Sequence, residues 1–154
     1  MTVRENLERP MVLRLEIARH ERRIEDLRRQ ATRITSILSK NRVVSTKDPT
    51  FLQEILAEAA DLENETLALE EELYRTCREI RGAIAAMEEK TLADVLELRY
   101  VEGLSWNEIA DRTCYTLSWL YKLHNRGMEK INAQCIMHNF RWFAGHGCHS
   151  DRTK

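Results

Sequence analysis

The chain is expected to be all-α, a long antiparallel helical hairpin (a coiled-coil arm) followed by a compact helix-turn-helix domain. Three observations predict this. Of 154 residues, 32% are charged, while there are only 5 Gly and 2 Pro, a composition that suits helix and offers few breakers. Two long stretches repeat apolar or small residues at spacings alternating between three and four. Beyond them the heptads lapse and short segments with capping sequences begin. The expected organisation is an arm over 1–89 with its loop at about 40–50, a helix-turn-helix domain over 90–134, and a Cys/His-containing tail over 135–154.

The first helix, about 8–39, carries the seam Leu13, Ile17, His20, Ile24, Leu27, Ala31, Ile34, Leu38. The second, about 51–88, carries Leu52, Ile55, Ala59, Leu62, Thr66, Leu69, Leu73, Thr76, Ile80, Ala83 and Met87. Each stripe is too narrow to fold alone, so the seams pair, within one chain or between two. Between them "SKNRVVSTKDPT" breaks the pattern, and Pro49 disfavours helix at Asp48. Charge is segmented along the chain. Residues 1–48 hold 12 Lys/Arg and 7 Asp/Glu, net +5, and residues 49–90 hold 4 and 11, net −7. A basic helix therefore faces an acidic one: the seam supplies stability, and the flanking charges supply orientation and partner choice. His20 and Thr66 read as register devices or hydrogen-bonded core groups rather than ligands.

Two capping-box patterns follow, "TLAD" from Thr91 and "SWNE" from Ser105. They predict helices over about 92–100 and 106–112, separated at Gly103, with Thr116 as N-cap of a further helix through at least Ile131. Ile109 and Ala110 in the second of these helices, with Leu120 and Leu123 in the third, fit a helix-turn-helix. Ala110 is the small residue expected at the closest approach. At 100° per residue the face opposite Leu120 and Leu123 carries Ser118, Tyr121, Lys122 and Asn125, flanked by Leu117 and Arg126. A recognition helix lays such a face in a major groove. Lys and Asn can hydrogen-bond base edges, and Leu117 can touch a thymine methyl. Leu117, Ser118, Tyr121, Lys122 and Asn125 are the expected base readers, and Arg112, Thr116, Arg126 and Lys130 the phosphate contacts. Residues 112–130 hold four Lys/Arg against Glu129, a local +3. Trp119 is expected to pack on a neighbouring helix. The competing reading is a three-helix bundle whose polar face meets only water.

The segment "LELRYVEGLSWNEIADRTCYTLSWLYKLHNRGMEKI" resembles the C-terminal module of phage- and prophage-encoded ArpU/RinA-like transcriptional regulators, a module similar to region 4 of bacterial sigma factors. The matching positions are Leu98, Arg99, Tyr100, Gly103 to Trp106, Glu108 to Ala110, Leu123, His124, Arg126 and the run "MEKI". More loosely, "RQATRITSILSK" looks like the motif that precedes the family's hairpin loop, so the likeness spans about residues 10–132. It implies a DNA-binding regulator, an activator or sigma-like factor acting on double-stranded DNA in the cytoplasm of a bacterial host. The arm would serve homo-oligomerisation or contact with host RNA polymerase. Two departures stand out. Cys114 occupies a turn position where the family has Gly or Asn, and Leu117 and Trp119 stand where polar residues are usual.

The tail "CIMHNFRWFAGHGCHSDRTK" gathers Cys135, His138, His146, Cys148 and His149. Their spacings fit no familiar zinc module, so no metal is expected, and "FRWF" reads as an aromatic cap or partner contact. The four cysteines, Cys77, Cys114, Cys135 and Cys148, show no close pairing and read as free thiols. No phosphate-cradling glycine loop and no nucleophile beside a base is visible, so neither an enzyme nor a cofactor is expected. With no apolar run of about 20 residues, no membrane span is expected, and "MTVRENLERP" lacks the apolar stretch of a secretory signal. Two further classes stay open. A small terminase-like packaging protein also joins a helix-turn-helix to an oligomerising coil. A protein-binding adaptor would use the charged hairpin alone.

Overall fold

A computed structural model describes residues 2–40 and 49–137. The described residues are all-α, with α1 over Val3–Lys40, α2 over Pro49–Ala85, α3 over Lys90–Leu96, α4 over Trp106–Thr113 and α5 over Leu117–Met137. The chain folds as two units, one of Met1–Met11 with Arg75–Lys154 and one of Val12–Tyr74. The hairpin break at 41–48 and the tail residues His138, His146, Cys148 and His149 lie outside the described residues, as does the side chain of Cys135.

In the Val12–Tyr74 unit the two seams pair within one chain, antiparallel. Thr66 is buried, donating to its own Leu62 carbonyl at 2.7 Å and lying 3.4 Å from His20 Nδ1. Continuing that register brings Leu27 level with Ala59 and Ala31 with Ile55, which together form a buried cluster. The expected charge opposition is present on both flanks: Arg23 pairs with Glu58 at 2.8 Å and Arg28 with Glu63 at 2.6 Å. Each pair is half exposed and contributes at most about 1 kcal/mol. Burial of the seam holds the pair together. Pro49 is the first residue of α2, the position where its fixed φ and missing N–H cost nothing.

The other unit begins earlier than the seam suggests. Thr2 and Glu5 form a capping box, Thr2 N–H donating to Glu5 at 2.8 Å and Glu5 N–H donating to Thr2 Oγ1 at 3.2 Å. Helix α1 therefore starts at Val3, and Val3 and Leu7 enter the core with Ile80, Ile84, Leu92, Leu96, Ile109, Leu120 and Ile131. Thr91 is not a cap. Helix α3 starts at Lys90 from Glu89, and the Leu92 and Ala93 amides donate to the Glu89 carbonyl at 3.1 Å each. Helix α3 ends in a π-helical turn, Glu97–Val101. Gly103, at φ 77°, then reverses the chain so that Leu104 N–H reaches the Leu98 carbonyl at 3.0 Å. Close approach between helices is set at Gly127, not only at Ala110: a Cβ there would lie 3.3 Å from Leu96. A side chain there would require Leu96 to give way by a few tenths of an ångström.

Candidate nucleic-acid interface

The helix-turn-helix is α4, the turn Cys114–Thr116 and α5. Ser105 starts α4 with a complete capping box: its hydroxyl accepts from Glu108 N–H at 3.3 Å, and Glu108 accepts from Ser105 N–H at 2.7 Å. These bonds hold the Glu108 carboxyl below its usual range, the Ser105 hydroxyl contributing first. Cys114 closes α4 in the left-handed region, φ 58° and ψ 21°. Thr116 begins α5, its Oγ1 accepting from Trp119 N–H at 3.3 Å and its carbonyl from Leu120 N–H at 3.0 Å. Both helix starts are thus set by hydroxyl caps, and the turn between them by a strained residue.

Leu120, Leu123, Gly127 and Ile131 turn α5 into the core. Ser118, Lys122 and Asn125 are exposed on the opposite face, with Leu117 and Tyr121 beside them. The structure brings the five expected base readers onto one side of one helix. Lys122 forms no ion pair among the described residues.

Aromatic packing braces that helix. The Trp106 ring lies under the Arg99 guanidinium at 4.8 Å, edge-on to Tyr121 at 5.0 Å and to His124 at 5.1 Å between centroids. Arg99 also donates to the Leu104 carbonyl at 2.8 Å, tying the loop before α4 to the same stack. Tyr121 is therefore anchored on one edge while 47% exposed. The buried Tyr100 hydroxyl lies 2.8 Å from His124 Nε2 and 3.8 Å from Met128 Sδ. Burial pushes the Tyr100 hydroxyl up and, first among several causes, pushes His124 down, favouring a neutral ring that can accept from the phenol. His124 is a structural bridge from α5 to the π-helical turn.

The expected phosphate contacts are less open. Arg112 pairs with Glu102 at 2.6 Å, and Arg126 pairs with Glu89 at 3.2 Å, where Lys130 joins it. The Lys130 bond, ahead of Arg126, holds the Glu89 carboxyl below its usual range. Gln134 donates to the Ala86 carbonyl at 2.6 Å, so one side of α5 clamps the link between α2 and α3. Sequence reasoning missed Glu89 and Glu102 because each lies outside the positive stretch it counted. Trp119 stands on the flank of α5 beside the core face. It is 49% exposed, so at most about half of the ring is covered by packing. No group of three or more His, Cys, Asp or Glu side chains placed to hold a metal occurs among the described residues, and no described helix is long and apolar enough to cross a membrane.

No protein-family model, curated protein or solved structure matches this chain.

Proposed function

We propose that this protein binds double-stranded DNA sequence-specifically, reading it with α5, and acts as a transcriptional regulator. The observation that carries the reading is the outward face of α5, where Ser118, Lys122 and Asn125 stand exposed opposite a buried Leu120–Leu123–Ile131 stripe. Those side-chain types match base-edge donors and acceptors, and a helix braced on its inner side can hold them in fixed register. Arg112, Arg126 and Lys130 grip phosphate by leaving their glutamates. The exchange is accessible because exposed ion pairs contribute only about 0–1 kcal/mol each. The resemblance of "LRYVEGLSWNEIA" to ArpU/RinA-like regulators adds support for a phage or prophage role, activator or sigma-like, with the arm serving oligomerisation or polymerase contact.

One observation favours a second reading. Tyr115 in the turn, with Leu117, Trp119 and Tyr121 of α5, gives the start of α5 an apolar exposed surface, which suits a protein partner as well as a groove. Selection of bound duplexes from a random pool, repeated at rising salt, separates the two. Regulator function predicts a recovered consensus and an affinity that falls steeply with salt. A protein-binding adaptor yields no consensus.

A further inference from the structure

The outward face of α5 is divided lengthwise. Ser118, Lys122 and Asn125 make an exposed polar stripe, each about one turn from the next. Leu117 and Tyr121 run along one edge of that stripe, four residues apart, and are 39% and 47% exposed. Trp119 falls roughly 160° round the helix from Tyr121, with Ser118 and Lys122 between them. The apolar side chains are therefore split by polar ones instead of gathered in one patch. A protein covering all of them would bury Lys122 at the centre of its contact, where charged residues are depleted. A major groove suits the division, because each thymine presents a carbonyl acceptor and a methyl group on the same edge.

The apolar edge is also held in place. Tyr121 lies edge-on to Trp106 at 5.0 Å, and Trp106 lies under the Arg99 guanidinium at 4.8 Å. Leu117 is the first residue of α5, directly after the Thr116 cap that accepts from Trp119 N–H at 3.3 Å. The first turns of a recognition helix are the part that meets base edges. Leu117 has no polar atom in its side chain to offer a base, so what it can recognise there is a methyl group.

We propose that Leu117 and Tyr121 seat thymine methyl groups, so that the site this protein selects carries thymines under the start of α5. The inference rests on the DNA reading of α5 and names what one edge of it recognises. Leu117 and Tyr121 stand about 6 Å apart along the helix at 1.5 Å per residue. That is close to two base-pair steps of ~3.4 Å each. With α5 running along the groove, two thymines two steps apart would each meet one of these side chains.

The test uses a duplex selected from a random pool by the wild-type chain. Each thymine is replaced singly by deoxyuridine, which removes the methyl and keeps the pairing and the carbonyl acceptor. Affinity should fall about fourfold at one or two thymines, the contribution of one buried carbon group of that size, and stay level at the others. Leu117→Ala should bind the thymine and uracil forms alike at one of those positions. Leu117→Met, which keeps an apolar chain there, should still discriminate. Both variants should keep wild-type helicity, because the side chain is largely outside the core. A recovered consensus in which every uracil is tolerated overturns the proposal and leaves the DNA reading standing. A uracil penalty undiminished at every position in Leu117→Ala overturns it as well, by making the methyl a matter of duplex shape. Failure to recover any consensus removes the DNA reading itself, and this inference with it.

Discussion

Cys114 holds a backbone conformation that glycine adopts freely and a Cβ resists. Cys114→Gly should therefore stabilise the unit that contains it by up to about 1 kcal/mol, the gain being reduced by glycine's larger unfolded-state entropy. Thermal unfolding followed by circular dichroism should show a Tm raised by a few degrees. A lowered Tm would mean that the thiol makes a contact worth more than the strain. The Tyr100–His124 bond has the opposite character. Tyr100→Phe leaves His124 Nε2 half-buried without its partner and should cost about 1–2 kcal/mol. Because burial lowers the His124 pKa in the folded state, the unfolded chain binds this proton more readily. Stability should fall as pH drops through the ordinary imidazole value near 6.5. The loss should continue until the folded ring also protonates. Glu89 and Glu108, both held below the ordinary carboxylate value, lose their contributions only at lower pH, so the histidine window is separable. Replacing His124 with Gln should remove the slope in the upper window while leaving the acid limb in place.

At the scale of helices, what could be read in advance was what is local. The heptad seams, the Ser105–Glu108 capping box and the Thr116 cap are written in neighbouring residues, and α2, α4, α5 and α1 from about residue 8 follow from them, while the first turn of α1 is set by Thr2 and Glu5 ahead of the seam. The start of α3 did not follow. "TLAD" matches a capping box, but the motif alone does not say whether its hydroxyl residue ends up as the cap. Here the chain turns helical one residue before Thr91, with Glu89 drawn to Arg126 and Lys130 of α5. Those partners lie 37 and 41 positions away, beyond any periodic signal. Gly127 was visible only as a residue on the core side. That it sets the α3–α5 spacing depends on Leu96, again a distant neighbour. Gly127→Leu should push the two helices apart and destabilise their unit by about 1–3 kcal/mol, whatever it adds in helix propensity. An unchanged denaturant midpoint would show that the crossing has slack. In the hairpin, Leu27→Lys places an unpaired charge on the buried seam and should melt or loosen that unit at a cost of several kcal/mol. Wild-type helicity and melting in that variant would count against the seam as the source of its stability.

For the molecule as a whole, the proposed function divides the labour across α5. Its inner face holds the fold, while on that proposal its outward face would read DNA and its basic flank would exchange glutamate for phosphate. Leu120→Ala should cost about 2–5 kcal/mol of folding and must be kept apart from effects on binding. Arg126→Ala should weaken cognate and random DNA alike and flatten the salt dependence by about one phosphate contact. The most direct test of the central claim is the affinity of Lys122→Ala and Asn125→Ala for selected and scrambled duplexes, titrated at several salt concentrations with helicity checked for each variant. If α5 reads bases, each change should cost about 1–3 kcal/mol on the selected site and much less on scrambled DNA. Variants that fold normally and bind the selected site as tightly as wild type would contradict the account and leave α5 as a surface for another protein.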